Sequence, residues 1–179
     1  MENKKKWWSA VGIVLLGVAF CIGLAVNGKP FTEDIIILYT NDAHCGIEEN
    51  MGYAGVAAYK KSMEQKTPFV TLVDCGDAVQ GDFIGLTSEG EYIVDIMNEV
   101  GYDYAVLGNH EFDWGIETIS VYNDGDLSNG EANFPFLGAN IVYKSSSTMP
   151  EWLEEYTIVE NNGLKVGIIG VIGEGLTSS

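Results

Sequence analysis

The chain has 179 residues and a formal net charge of −17 at pH 7, with nine basic residues, all lysine, against 26 acidic ones. Its hydrophobic share of 46% suffices for the core of one domain of ordinary size and excludes wholesale disorder. The absence of arginine and the acidic balance exclude a protein that binds nucleic acid through a basic surface.

Lys4-Lys5-Lys6 leads into an uncharged apolar run from Trp7 to Val26, which stops at Asn27-Gly28-Lys29-Pro30. A basic flank before an apolar run reads as an export signal, and Gly23-Leu24-Ala25 offers a small-x-small cleavage site. The run is also about 20 residues long, enough to stay in a bilayer as an uncleaved anchor, with Trp7 and Trp8 suited to the interface. Residues 1–29 therefore read as a signal peptide or an N-terminal membrane anchor. The address is the cell envelope or the extracellular space. Cys21 belongs to this segment. Cys45 and Cys75 have no zinc-ribbon spacing and read as small packing residues.

Beyond the linker, strand and helix patterns alternate. Ile35 to Tyr39 is a short β-branched run that predicts a buried strand. Gly52 to Lys66 predicts a helix carrying Val56, Ala57, Tyr59 and Met63, and Phe69 to Val73 a second strand. Ser88 to Val100 has helical spacing of Tyr92, Ile93, Ile96, Met97 and Val100, with Gly101 as its stop. Tyr104 to Leu107 predicts a third strand and Trp114 to Tyr122 a helix. Phe134 to Val142, Thr157 to Glu160 and Leu164 to Ile172 predict further strands, the last two joined by the hairpin signal Asn161-Asn162-Gly163. Alternating βα units imply an α/β fold with a largely parallel sheet.

Three predicted strands end in polar punctuation: Thr40-Asn41-Asp42-Ala43-His44, then Asp74-Cys75-Gly76-Asp77, then Gly108-Asn109-His110. In open α/β sheets, ligand sites gather beyond the carboxyl ends of strands. Asp42 and His44, on alternate residues, would share one face if the strand continues, and so serve one cation. Asp77 taken alone is a turn aspartate, but a carboxylate can also bridge two metals about 3.5–4 Å apart. Asn109 taken alone is a turn asparagine, yet its carbonyl oxygen suits a second metal. His110 is either a helix-start histidine with Asp113 as a first-turn acid, or an imidazole whose ring Asp113 orients and whose protonated form it favours.

The ordered set Asp42-x-His44, Gly76-Asp77-x-x-x-Gly81 and Gly108-Asn109-His110-Glu111-Phe112-Asp113 resembles the calcineurin-like metallophosphoesterases. Within them it is similar to the exported 5′-nucleotidase, UDP-sugar hydrolase and 2′,3′-cyclic phosphodiesterase branch. The resemblance runs from about Ile35 to Ile172. It implies part of a four-layer α/β/β/α sandwich, and residues 30–179 as the N-terminal part of that domain, incomplete at its C-terminus. It implies hydrolysis of a nucleotide or another phosphoester by metal-activated water, with two divalent ions, zinc or manganese. Asp42 and His44 would hold the first ion, Asp77 would bridge both and Asn109 would hold the second. His110 would stabilise the transition state, oriented by Asp113. The family's two later histidine motifs have no counterpart, because no histidine follows His110. The chain alone is therefore expected to bind metal weakly and to be nearly inactive without a C-terminal half. A non-catalytic remnant or surface binding protein on the same scaffold is the alternative.

Overall fold

The computed structural model describes residues 34–161 and 164–176, so the expected signal or anchor segment at 1–29 lies outside the described residues. Four short strands form a parallel sheet in the order β1-β2-β3-β4: β1 (Ile36–Thr40), β2 (Val70–Asp74), β3 (Tyr104–Val106) and β4 (Phe136–Leu137). Parallel neighbours need crossovers. Here these contain the helices α1 (Gly52–Glu64), α2 (Phe83–Ser88), α3 (Glu91–Val100) and α4 (Ile116–Ser120). The expected α/β class with a parallel sheet is thus what the chain adopts. β5 (Tyr156–Asn161) and β6 (Leu164–Ile169) pair antiparallel with Asn161 opposite Leu164, as the hairpin signal predicts; residues 162–163 of the turn lie outside the described residues. Among the described residues, no helix is long and apolar enough to cross a membrane.

α3 supplies the clearest amphipathic face. Ile93, Val94 and Met97 are buried there, against Leu72, Leu107, Ile119, Phe134 and Phe136 in one core. The helix ends at Gly101, whose φ of 81° is left-handed and whose N–H donates to the carbonyls of Met97 and Asn98.

Several expectations need correction. The helix expected from Ser88 is interrupted, because Glu89 (φ 52°) and Gly90 (φ 99°) are both left-handed and cannot continue a right-handed helix. The helix expected over 114–122 is helical in α geometry only across α4, flanked by 3-10 turns at His110–Phe112 and Val121–Asn123. The strand expected over 134–142 is paired only at Phe136 and Leu137, since the chain turns at Gly138, whose carbonyl accepts from Ile141 N–H. β1 is not a buried strand. Leu38 faces the core, while Ile37 and Tyr39 are 49% and 73% exposed. Among the described residues, Cys45 and Cys75 are free thiols: Cys45 is buried, as a packing residue should be, but Cys75 is exposed.

Candidate metal centre

Beyond the sheet, the segment after β1 lies along the segment after β2. The Cys75 N–H donates to Thr40 O at 2.8 Å, Asp42 N–H to Gly76 O at 3.0 Å, His44 N–H to Asp77 O at 2.9 Å and Cys45 N–H to Ala78 O at 2.9 Å. β1 itself stops at Thr40, so Asp42 and His44 do not share a strand face as expected. They are neighbours for another reason: Asp42 (φ 52°) and His44 (φ 45°) both take left-handed backbone, as does Asp77 (φ 59°). Non-glycine residues held in that region against local preference cluster at functional sites.

The loop after β2 meets the loop after β3 at two glycines. Gly76 has φ 104°, and a Cβ there would lie 2.6 Å from Gly108 N; a Cβ on Gly108 would lie 2.3 Å from Asp77 Oδ1. Only chains without side chains at both points can approach so closely. Asp77 Oδ1 uses that closeness to accept from the His110 backbone N–H at 2.8 Å.

Glu111 then ties the two loops together, a role that its place inside the Gly108–Asp113 motif does not reveal. It is buried at 3% exposure. Its Oε2 accepts from the N–H groups of Asp77 (2.8 Å) and Gly108 (2.7 Å), and its Oε1 from those of Ala78 (2.9 Å) and Val79 (3.3 Å). Burial pushes the carboxyl above the usual carboxylate range, and the four backbone donors pull against that. An acid one residue after a histidine, inside a run bounded by glycines, is the only sequence signal it carries.

The ring nitrogens are sorted by their partners. His44 Nδ1 lies 2.9 Å from the Gln80 carbonyl, which only accepts, so Nδ1 is the donor there and Nε2 is directed elsewhere. That Nε2 lies 3.8 Å from Asp42 Oδ1. Asp42's other oxygen accepts from the Asn41 side-chain amide. His110 Nδ1 donates to Asp113 Oδ2 at 2.8 Å. This hydrogen bond, more than the nearby charges, holds His110 above the ordinary imidazole value. The two rings meet edge to face with centroids 5.1 Å apart. One donor atom from each of His44, Asp77 and His110 falls within 4.8 Å of the other two. A histidine that donates one nitrogen to a carbonyl or carboxylate and points the other into a shared space is a usual metal-site arrangement. The donor set of two imidazoles and a carboxylate suits a divalent metal ion.

The other sequence candidates sit around this trio. Asp42 flanks His44, and Asp113 flanks His110. Asn109 opens the 3-10 turn, and its side chain does not cap that turn. Beneath them lies a buried chain of polar groups. Asp74 is 1% exposed, accepts from Thr40 Oγ1 at 2.5 Å and from Gly76 N–H at 2.9 Å, and Thr40 Oγ1 meets the Tyr102 hydroxyl at 2.9 Å. Burial pushes the Asp74 carboxyl up to about 7. Beside Asp42 opens a cavity of about 190 Å³, lined by Thr40, Glu49, Tyr53 and Tyr102 among others. Tyr53 is 4% exposed, and its hydroxyl finds no partner among the described residues.

Comparison with known proteins places the chain in a family. A snake venom 5′-nucleotidase from Gloydius brevicauda is 36% identical over 174 residues, covering 88% of this chain and 28% of that protein. The 5′-nucleotidase of Bos taurus is 33% identical over 153 residues, covering 76% of this chain and 26% of that protein. The chain therefore spans little more than a quarter of the length of these two relatives. The solved 5′-nucleotidase precursor of Thermus thermophilus superposes with a TM-score of 0.65 at 26% identity, over 77% of this chain and 28% of that one. The NAD nucleotidase of Haemophilus influenzae does so with a TM-score of 0.65 at 25% identity, over 80% of this chain and 27% of that one. The family model described as calcineurin-like phosphoesterase matches residues 35–170, and the chain belongs to that family.

Proposed function

We propose that the chain supplies the strand-end part of the metal site in an exported, metal-dependent phosphoester hydrolase of the 5′-nucleotidase type. The observation that carries this reading is the convergence of His44, Asp77 and His110, with Nδ1 of each imidazole held by an oxygen acceptor so that Nε2 is left for other work. Asp42, His44 and Asp77 would hold one divalent ion, with Asp77 shared and Asn109 contributing to a second. Bound there, the ions would supply Lewis-acid charge beside a phosphoryl group. His110, its ring fixed by Asp113, would donate from Nε2 to a phosphoryl or leaving-group oxygen. Its raised proton affinity favours the donating form.

The same geometry supports a second role for His110, as a third ligand of one ion, because its donor atom lies within the same 4.8 Å of His44 and Asp77 that they keep from each other. Replacement separates the two roles. In a version of the protein extended to the length of its relatives, Asp77→Asn should abolish metal binding. His110→Asn should leave the metal bound and mainly lower kcat; loss of metal would assign His110 as a ligand instead.

Nucleotide monophosphates are the substrate class suggested by the relatives' names. The basic-then-apolar segment at residues 4–26 and the venom relatives agree with an extracellular address, with a membrane attachment if that segment is retained. We further propose that the 179-residue chain alone binds manganese weakly and hydrolyses adenosine monophosphate poorly. A kcat of roughly 1–10³ s⁻¹, ordinary for enzymes, measured on the purified chain with added manganese would sink that part of the reading. An extended protein that binds metal and nucleotide without any turnover would favour the non-catalytic binder.

A further inference from the structure

We propose that Glu111 is the positioning residue of the metal centre, a clasp whose carboxylate sets the relative placement of Asp77 and the Asn109–His110 turn. The inference rests on the metal-site reading above, but the clasp itself stands on geometry alone. Glu111 follows His110 directly and, buried as it is, its carboxylate is turned inward to the backbone rather than out to a substrate or cation. Its two oxygens collect four backbone N–H groups from both loops, three consecutive ones at Asp77, Ala78 and Val79 and a fourth at Gly108. Three consecutive N–H groups converge only where the backbone curls, and Asp77 opens that curl with its φ of 59°. Glu111 therefore stabilises the very conformation that points the Asp77 carboxyl toward His44 and His110. Through the Gly108 bond it also fixes the start of the turn that carries Asn109 and His110.

The chemistry of the cradle demands a carboxylate. Each oxygen accepts two N–H groups. A glutamine has nearly the same shape, but its NH₂ cannot accept. In either flip it would leave two backbone donors facing two more hydrogens. Glu111→Gln thus removes half of the clasp without changing its volume. An alanine in place of Glu111 empties the cradle and leaves four N–H groups around a space that once held a carboxylate. A small carboxylate from solution is the natural replacement.

Three measurements on the full 179-residue chain test this. In the first, Co²⁺ is titrated and read by visible absorption, for the unaltered protein, Glu111→Gln and Glu111→Ala, with circular dichroism as the control for folding. Glu111→Gln should bind Co²⁺ about 10–100-fold more weakly, as supporting residues of metal sites typically do. Equal affinity and an equal Co²⁺ spectrum in folded Glu111→Gln would overturn the proposal and leave Glu111 a structural residue only. In the second, sodium acetate is added. It should restore Co²⁺ binding to Glu111→Ala and do nothing for Glu111→Gln, whose side chain still fills the space. Rescue of neither or of both contradicts the clasp. In the third, amide hydrogen exchange is followed in the metal-free, unaltered protein, so that the idea is judged even if a variant fails to fold. The amides of Asp77, Ala78, Val79 and Gly108 should open together with one protection factor. Independent rates at Gly108 and at the other three would show that no shared clasp exists. If the unaltered chain binds Co²⁺ too weakly to read, the same titration is made on the extended protein, where no uptake would overturn the metal-site reading; the exchange result still decides whether Glu111 joins the loops.

Discussion

β1 and β2 lie side by side and pair residue for residue from Ile36 opposite Val70 to Thr40 opposite Asp74, yet they meet their surroundings differently. In β2, Thr71 to Asp74 are all buried, so both of its faces are covered. β1 half-buries one face and opens the other, at Ile37 and Tyr39, although its sequence is the more apolar of the two. Apolar content therefore does not rank the strands by burial; what packs on each face does. The difference continues into the site. Asp77 comes from the loop of the fully covered strand and is clasped by buried Glu111. Asp42 and His44 come from the half-covered strand and owe their placement to backbone bonds with the β2 loop.

The strongest way to break this contrast is to truncate both strands. Leu72→Ala in β2 should cost about 2–5 kcal/mol, the usual range for a buried leucine, whereas Ile37→Ala in β1 should cost about 1 kcal/mol or less. Equal losses in denaturant unfolding would mean that β1's open face is covered in solution. Next in size is Gly108→Ala, which drives a Cβ into Asp77 Oδ1. Forced repacking of that kind costs about 1–3 kcal/mol, and here it should also weaken Mn²⁺ binding, read by calorimetry, because it separates the loops. A Gly108→Ala protein as stable as the original would show that the two loops are free to part.

A smaller effect depends on pH. Asp74 sits at the end of β2 with its pKa raised from 3.8 to about 7. A raised folded-state pKa means that the protonated form is the one stabilised by folding. That contribution is complete below about pH 3.8 and is lost as pH rises through about 7. Relative to Asp74→Asn, the unaltered protein should therefore lose Tm across this same pH window. Parallel curves would refute the shift. The smallest effect is expected at Tyr53. Removing its unpartnered hydroxyl in Tyr53→Phe should be neutral or stabilising by up to about 1 kcal/mol. A clear destabilisation would instead reveal a water in the adjoining cavity that satisfies the hydroxyl.

Much of this is legible in the sequence, for identifiable reasons. The βα alternation, the parallel sheet, the Gly101 stop and the 156–169 hairpin all follow from local patterns, and local patterns are what a sequence displays. The three polar strand ends are legible too, since a parallel sheet places successive carboxyl ends on one edge. The break at Glu89-Gly90 is not, because nothing local forbids a helix through a single glycine. β1's open face is not, because alternation of burial leaves no trace in a run that is apolar throughout. Glu111 is hidden for the opposite reason. Charged residues belong on surfaces by default, and only the fold shows that four backbone donors surround this one.

The left-handed backbone at Asp42, His44 and Asp77 has a consequence for anyone engineering the protein. Each of these residues occupies a conformation that glycine would adopt with less strain. A laboratory screen that rewards heat resistance alone would be drawn to these three positions. It would return robust variants with glycine there, and each gain in melting temperature would remove a candidate ligand. Thermal tolerance and metal uptake are set against each other at the same three φ angles, so a useful selection has to score both.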